Sequence, residues 1–306
     1  MIYFWSKYGP DFYTGGMQTP DITVIVGPTA SGKTRRSLDL AKAQGAEIIS
    51  ADAFQIYTGL DIGSAKLPMD EREGIPHHLI DIKAIDTGYS VAEFLRLSAE
   101  LISKLRAAGT PILICGGTAL YTQAFLYNYQ FPSPDSPQQG LRDELNQRAD
   151  EDGLEALWAD LKEKDADMAQ RIHPNDRLRI IRALEIHAQQ DESPSHYYRR
   201  DEQIRADTRV ELLMPDRELL YERINQRVDE MMADGWIDEV RTLRTQYAAD
   251  AAGFRAIGYI DIMQYLDGEL AYDKMVDMIK QKTRRFAKRQ YTWYRQLSEH
   301  ATVITP

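Results

Sequence analysis

The octet Gly27-Pro28-Thr29-Ala30-Ser31-Gly32-Lys33-Thr34 lies between the apolar run Ile22-Thr23-Val24-Ile25-Val26 and a segment of helical pattern, Arg35 to Gln44. It fits G-x-x-x-x-G-K-[ST], the P-loop pattern whose glycines let backbone N–H groups close around an anion. Strand, glycine loop and helix in that order bring the positive end of the helix dipole onto the same anion. Lys33 is expected to reach a terminal phosphate and the Thr34 hydroxyl to ligate Mg²⁺. The whole octet, Pro28, Thr29, Ala30 and Ser31 included, predicts a phosphate or pyrophosphate site. It does not say whose phosphate is held, and ATP is the default reading.

The chain's 306 residues suffice for one large domain or two. No run of about eighteen apolar residues is present, so no membrane span is expected. The single cysteine, Cys115, excludes an internal disulfide framework and fits the reducing cytoplasm. It reads best as a small buried hydrophobe at a strand end. Residues 1–16 are aromatic and glycine-rich without periodicity and lack the parts of a signal peptide. They are expected to be a disordered leader or to follow from a misassigned start, with Met17 just before the first strand. The net charge of −10 argues mildly against bulk nucleic-acid binding. Its distribution tells more, because Lys280 to Arg295 carries seven cations and no acid.

From Asp21 to about Cys115 strands and helices alternate. Strands are predicted at Ile22–Val26, Glu47–Ser50, His78–Ile82 and Pro111–Cys115, with helices at Lys33–Gln44 and Ser90–Ala108. Such alternation implies a parallel sheet covered on both faces. The stretch Phe131-Pro132-Ser133-Pro134-Asp135-Ser136-Pro137 breaks the pattern. Leu141 to Gln190 is then almost wholly helical, and Arg209–Met214 reads as a further strand before long helices. The expected fold is α/β, a P-loop NTPase-like parallel sheet core with a mainly helical insertion domain. The core takes residues 17–135 and 207–306 and the insertion 136–206; two sequential domains are the other arrangement.

In a parallel sheet only the loops at the carboxyl ends of the strands reach a ligand beside the P-loop. Asp52, two residues past the second predicted strand, can accept a proton, hold Mg²⁺ through water, or merely cap a turn. Asp61-Ile62-Gly63-Ser64-Ala65-Lys66 offers a hydroxyl and a cation. Gly116-Gly117-Thr118-Ala119-Leu120-Tyr121 offers close backbone approach, with Thr118 as phosphate donor, as helix N-cap, or as both. The histidines are scattered, so zinc is not expected. Arg179, Arg182 and Glu185 share a helix face and read as a salt-bridged stripe or as part of a binding surface. Thr283 to Arg295 interleaves cations with Phe286, Tyr291, Trp293 and Tyr294. That suits either a nucleic-acid surface or a basic helix packed by its aromatics.

Taken together, these segments resemble the tRNA dimethylallyltransferases, which isopentenylate an adenosine beside the anticodon. The resemblance runs from about Ile22 to Arg295 and rests on many motifs in fixed order. They are GPTASGKT at 27–34, SADAFQIY at 50–57, DIGSAK at 61–66, PHHLID at 76–81, YSVAEF at 89–94 and GGTALY at 116–121. HPND at 173–176, RALE at 182–185, FRAIGY at 254–259 and TRRFAKRQYTW at 283–293 complete the series. Ser64 stands where the family usually has Thr, which keeps the hydroxyl. The zinc-binding tail of some eukaryotic members has no counterpart, which points to a bacterial-type enzyme.

The resemblance implies a cytoplasmic, monomeric transferase with dimethylallyl diphosphate and tRNA as substrates and Mg²⁺ as cofactor. Asp52 matches the family's general base and Thr118 the residue beside the pyrophosphate. Arg142 matches an arginine near the reacting ends, although the loop around it differs in length. The segments matching the family's tRNA contacts supply Asp52, Ala53, Phe54 and Gln55; Leu178, Arg179 and Arg182; and Phe254, Arg255, Gly258 and Tyr259. The last of them supplies Thr283, Arg284, Arg285, Lys288, Arg289 and Gln290. On this reading the helical insertion clamps the anticodon stem-loop, and the P-loop receives a departing pyrophosphate with no nucleotide hydrolysis required.

Overall fold

A computed structural model describes residues 21–131, 139–190 and 201–305. The leader at 1–16, the proline-rich stretch at 132–137 and the polar residues 191–200 lie outside the described residues. The core is a six-stranded sheet in the order β3-β2-β4-β1-β5-β6. Its strands are β1 (Ile22–Val26), β2 (Glu47–Ser50), β3 (His77–His78), β4 (Ile112–Cys115), β5 (Thr208–Leu213) and β6 (Thr302–Ile304). Every pairing is parallel. A central parallel strand is covered on both faces and reads as unbroken apolar sequence, and all five residues of β1 are buried. Register aligns Ile25 of β1 with Cys115 of β4, and Cys115 with Ser50 of β2. The carboxyl ends of three strands are therefore level, and their loops open at one edge. Because β4 separates β1 from β2, the strand order reverses there, where α/β sheets bind ligands.

The helices follow from capping as much as from apolar spacing. In α1 (Lys33–Gln44) the chain turns helical at the P-loop lysine and stops at Gly45, whose left-handed backbone returns a hydrogen bond to Ala41. In α2 (Val91–Ala107) the Ser90 hydroxyl accepts from the Glu93 amide at 3.2 Å, within the serine-x-x-glutamate pattern of a capping box. Next come α3 (Ala119–Leu126), α4 (Gln139–Glu151), α5 (Leu154–Lys164), α6 (Ala166–Arg171) and α7 (Arg177–Gln190). After β5 stand α8 (Arg217–Ala233), α9 (Trp236–Leu243), α10 (Tyr259–Leu266) and the long α11 (Tyr272–Arg295).

Two sequence expectations differ from this arrangement. The strand expected at His78–Ile82 ends at His78. Leu79 and Asp81 take positive φ of 61° and 57°, and the backbone turns to bond the 55–56 segment, with Ile82 N–H on the Ile56 carbonyl at 2.9 Å. The edge strand β6 has no counterpart in the sequence reading, since three residues carry too little periodicity to register.

The chain divides into two compact units, Met1–Thr122 with Arg205–Pro306, and Gln123–Ile204. The helical unit thus begins before the proline-rich stretch, inside α3. Its core joins Leu145, Leu157, Leu161, Ile180, Ile181 and Leu184 from α4, α5 and α7. In the same unit Glu185 is buried at 1% exposure. It accepts a two-pronged contact from Arg142 at 2.5 and 2.7 Å and one from Arg182 at 3.1 Å. Burial raises the Glu185 carboxyl, but the two arginines outweigh burial and hold it below its ordinary value.

A carboxylate held low in the folded state stabilises fully above its unfolded pKa of about 4.3 and progressively less as pH falls through the folded value. Glu185→Gln should accordingly cost about 1–3 kcal/mol at pH 7, below the figure for a fully buried pair because both arginines are part-exposed. Thermal unfolding at pH 7 and again near pH 3 checks this, with the gap between variant and wild type closing at the lower pH.

Candidate active site

A cavity of about 690 Å³ opens at the carboxyl edge of the sheet. Its wall includes the P-loop from Thr29 to Thr34, Asp52 and Gln55, Gly116 and Gly117, and Arg227 and Gln290. Five of the segments singled out by sequence therefore meet in one place, since Ser64 and Ala65 of the 61–66 loop and Phe286 beside Gln290 also line it. The loops after β2 and β4 are packed so closely that a side chain on Gly116 would put its Cβ 2.2 Å from the Ala51 carbonyl oxygen. Only glycine allows that approach. The contact is tied by Thr118, whose hydroxyl accepts from Ala53 N–H at 2.9 Å and whose own N–H donates to the Ala51 carbonyl at 3.3 Å.

The P-loop carries the features of an anion cradle. Lys33 Nζ folds back onto the Pro28 carbonyl at 2.6 Å, which curls the loop. Burial lowers the Lys33 ammonium to about 8; Cys115 and Asp52 oppose the shift and the like charge of Arg227 adds to it. The Ser31 hydroxyl is buried without a partner among the described residues. A buried hydroxyl left unsatisfied beside a desolvated cation and a helix N-terminus fits a bound phosphate.

Asp52 faces this cradle. Its Oδ1 accepts from the amides of Phe54 at 2.9 Å and Gln55 at 3.3 Å. Burial raises the carboxyl above its ordinary value, and those amides, Lys33 and the Gly117 amide pull it partly back. Capping the turn takes Oδ1 while the carboxylate still lines the cavity, so the local structure orients the group rather than consuming it.

Two wall residues show what the sequence reading missed or placed differently. Arg227 on α8 is absent from the sequence-based site. Burial pulls its guanidinium below its ordinary value, and among the described residues it makes no ion pair. The signal is present in the helix pattern: Leu220, Ile224 and Val228 form the buried stripe of α8, and Arg227 interrupts it. Gln290 is 2% exposed and bridges two loops. It accepts from the P-loop amide of Thr29 at 2.8 Å and donates to the Gly117 carbonyl at 2.5 Å.

The other positions matched to RNA contacts fall into distinct settings. Phe254, Gly258 and Tyr259 are buried, whereas Arg255 is exposed. The Thr283 hydroxyl bonds the Ile279 carbonyl within its own helix, and Arg284 bonds Asn225. Arg285, Lys288 and Arg289 are exposed on α11, and among the described residues none of the three pairs with an acid. In the helical unit Leu178 is 81% exposed at the start of α7, Arg179 pairs with Asp176 at 3.4 Å, and Arg182 pairs with Glu185. Arg142, matched to the reacting ends and not to RNA, shares that Glu185 within the helical unit.

Strand order, glycine loop and a cation-lined cavity define an α/β enzyme fold with a P-loop-like core. The IPP transferase family model matches residues 55–297. The chain is 45% identical to a tRNA dimethylallyltransferase of Exiguobacterium over 284 residues, 91% of this chain and 88% of that one. It is 46% identical to one of Geobacillus thermodenitrificans over 278 residues, 90% and 88% of the two chains. Among solved structures it is similar to the tRNA isopentenylpyrophosphate transferase of Bacillus halodurans, with TM-score 0.67, 38% identity, and 94% and 90% of the chains covered. A eukaryotic dimethylallyltransferase acting on tRNA superposes with TM-score 0.81 at 26% identity, over 93% of this chain and 73% of that one. This chain belongs to the IPP transferase family.

Because burial lowers the Lys33 ammonium to about 8, affinity for inorganic pyrophosphate should fall as pH rises from 7 to 9. Lys33→Met should weaken that affinity roughly 10–100-fold at pH 7, the worth of a hydrogen bond to a charged group, and flatten the pH dependence. Calorimetric titration of both proteins at the two pH values measures this.

Proposed function

We infer that this protein transfers a dimethylallyl group from dimethylallyl diphosphate to the exocyclic N6 amine of the tRNA adenosine 3′-adjacent to the anticodon, releasing pyrophosphate. The observation that carries the reading is the meeting of a polyanion cradle and a half-buried carboxylate in one cavity, in a chain of the IPP transferase family. The amine nitrogen forms a bond to the allylic carbon while the carbon–oxygen bond to diphosphate breaks. Asp52 takes the proton the nitrogen sheds, and the electron pair leaves with pyrophosphate. An exocyclic adenine amine is a poor base, so a carboxylate with a raised pKa beside it has a task at neutral pH.

Charge develops on the leaving diphosphate, and the cradle is built for that moment. Lys33, Arg227 and the amides at the head of α1 meet an anion without having to reorganise. Mg²⁺ fits the donor set: the oxygen-bearing side chains of Thr34 and Asp52 both stand at the cavity wall. That is the pattern for an ion held by one or two protein oxygens and the substrate's phosphates. Bound there, Mg²⁺ would neutralise the diphosphate.

The acceptor base must leave its stack to enter the cavity, which costs least in a single-stranded loop. Arg285, Lys288 and Arg289 form the cationic stripe suited to the RNA backbone, and Leu178, Arg179 and Arg182 offer further RNA-facing groups on the helical unit. No helix among the described residues is long and apolar enough to cross a membrane.

The decisive experiment supplies labelled dimethylallyl diphosphate with unmodified tRNA, adenosine monophosphate, or no acceptor. Label on tRNA alone supports the reading; label on the nucleotide alone, or on neither, overturns it. Asp52→Ala should lower turnover about 10²–10⁴-fold while tRNA affinity, read by filter binding, stays within about twofold. Replacing Arg285, Lys288 and Arg289 with alanine should instead weaken tRNA binding and shrink its salt slope by about 0.7–0.9 for each phosphate no longer neutralised.

A further inference from the structure

Glu239, on α9 beside the buried Val240, commits both carboxylate oxygens at one loop. Oε2 accepts from the amides of Asp61 at 3.0 Å and Ile62 at 2.6 Å. Oε1 accepts from the Gly63 amide at 3.3 Å and from the Tyr259 hydroxyl at 2.6 Å. The loop lies flush on its support: a Cβ on Gly63 would stand 2.2 Å from Trp236 Nε1, and the Trp236 and Tyr259 rings meet edge to face at 5.8 Å. Beyond Gly63 the same loop turns to the cavity, where Ser64 and Ala65 form part of the wall. Both of their carbonyls accept from Gln55 Nε2 at 3.3 Å. The Gln55 amide in turn donates to Asp52 Oδ1.

We propose that Glu239 is a positioning residue for the transfer reaction, fixing the 61–66 loop so that Gln55 is clamped and the Asp52 carboxylate keeps its aim into the cavity. The proposal rests on Asp52 acting as the base. An acceptor-only group is what three converging amides require. Glutamine in its place keeps one oxygen but turns an NH₂ toward donors, and alanine leaves all three amides without their acceptor. Tyr259 and Trp236 thereby gain a role away from RNA, as the surface against which the loop is pressed.

The test pairs amide hydrogen exchange with kinetics in Glu239→Gln, Glu239→Ala, Gln55→Ala and the double Glu239→Ala/Gln55→Ala protein. Faster exchange is expected in Glu239→Gln at 61–63 and also at 54 and 55, with the remaining core unchanged. The kcat should fall about tenfold for Glu239→Gln and further for Glu239→Ala, with the KM for dimethylallyl diphosphate held within about threefold. The double variant should be scarcely slower than the worse single variant, because both changes cut one chain of hydrogen bonds. Multiplicative loss in the double variant, or exchange confined to 61–63, overturns the proposal. So does loss of exchange protection at 54 and 55 with kcat intact. Should the wild-type protein transfer no dimethylallyl group, the proposed function falls, and exchange at 54 and 55 alone decides whether Glu239 holds that turn.

Discussion

Two cations, Lys33 and Arg227, stand half-buried on the wall of one cavity, and burial drives both below their ordinary pKa values. Desolvating a charge without a partner is costly, and the surrounding core is built to hold the pair in place. The P-loop is curled by Lys33 onto its own Pro28 carbonyl, and Gln290 pins the Thr29 amide from α11. Level strand ends at Ile25, Cys115 and Ser50 bring Asp52 and Gly116 to the same rim. A polyanion relieves the repulsion between the cations, so the site gains most from a ligand at which negative charge accumulates. A diphosphate gaining charge as its carbon–oxygen bond breaks is such a ligand.

The proposed base is built by the opposite device. Asp52 is raised by burial yet steadied by two backbone amides. The same residue thus caps a turn and stands where the proposed base is needed, two readings that position alone leaves open. The geometry is compatible with both, because one oxygen caps the turn while the carboxylate lines the cavity. The Thr118 hydroxyl joins the loops after β2 and β4 by accepting from the Ala53 amide, and the adjoining Gly116 and Gly117 line the cavity.

What was legible in the sequence was local. The limits of β1, β2 and α1 follow from an apolar run, a glycine loop and a glycine stop, all within a few residues of the elements they define. What was not legible depends on distant partners. Arg227 faces the P-loop lysine from a helix far along the chain, and in sequence it is merely a polar residue between Ile224 and Val228 of a buried stripe. Gln290 is part of a family motif, but its tie from the Thr29 amide to the Gly117 carbonyl joins segments that no local pattern connects. Phe254 and Tyr259 belong to a family motif, yet both are buried. A motif says that a position matters without saying whether it touches a ligand or supports what does. The edge strands β3 and β6 are too short for periodicity and are set by their neighbours.

The strand that carries the P-loop sits between β4 and β5, and the helical unit is inserted in the sequence between those two. During synthesis β1 therefore emerges with one flank unpaired, and its second partner, Thr208–Leu213, appears only after the whole insertion has been made. Until then an apolar strand stands as a sheet edge, open to pairing with another chain. Closing it joins segments far apart in sequence, a loop-closure cost that slows folding. The helical unit has its own apolar core and can consolidate while the sheet waits. The order of synthesis thus makes the ligand-binding sheet the last part of the molecule to become whole, and a ribosome that stalls within the insertion releases a chain whose most aggregation-prone strand is still bare.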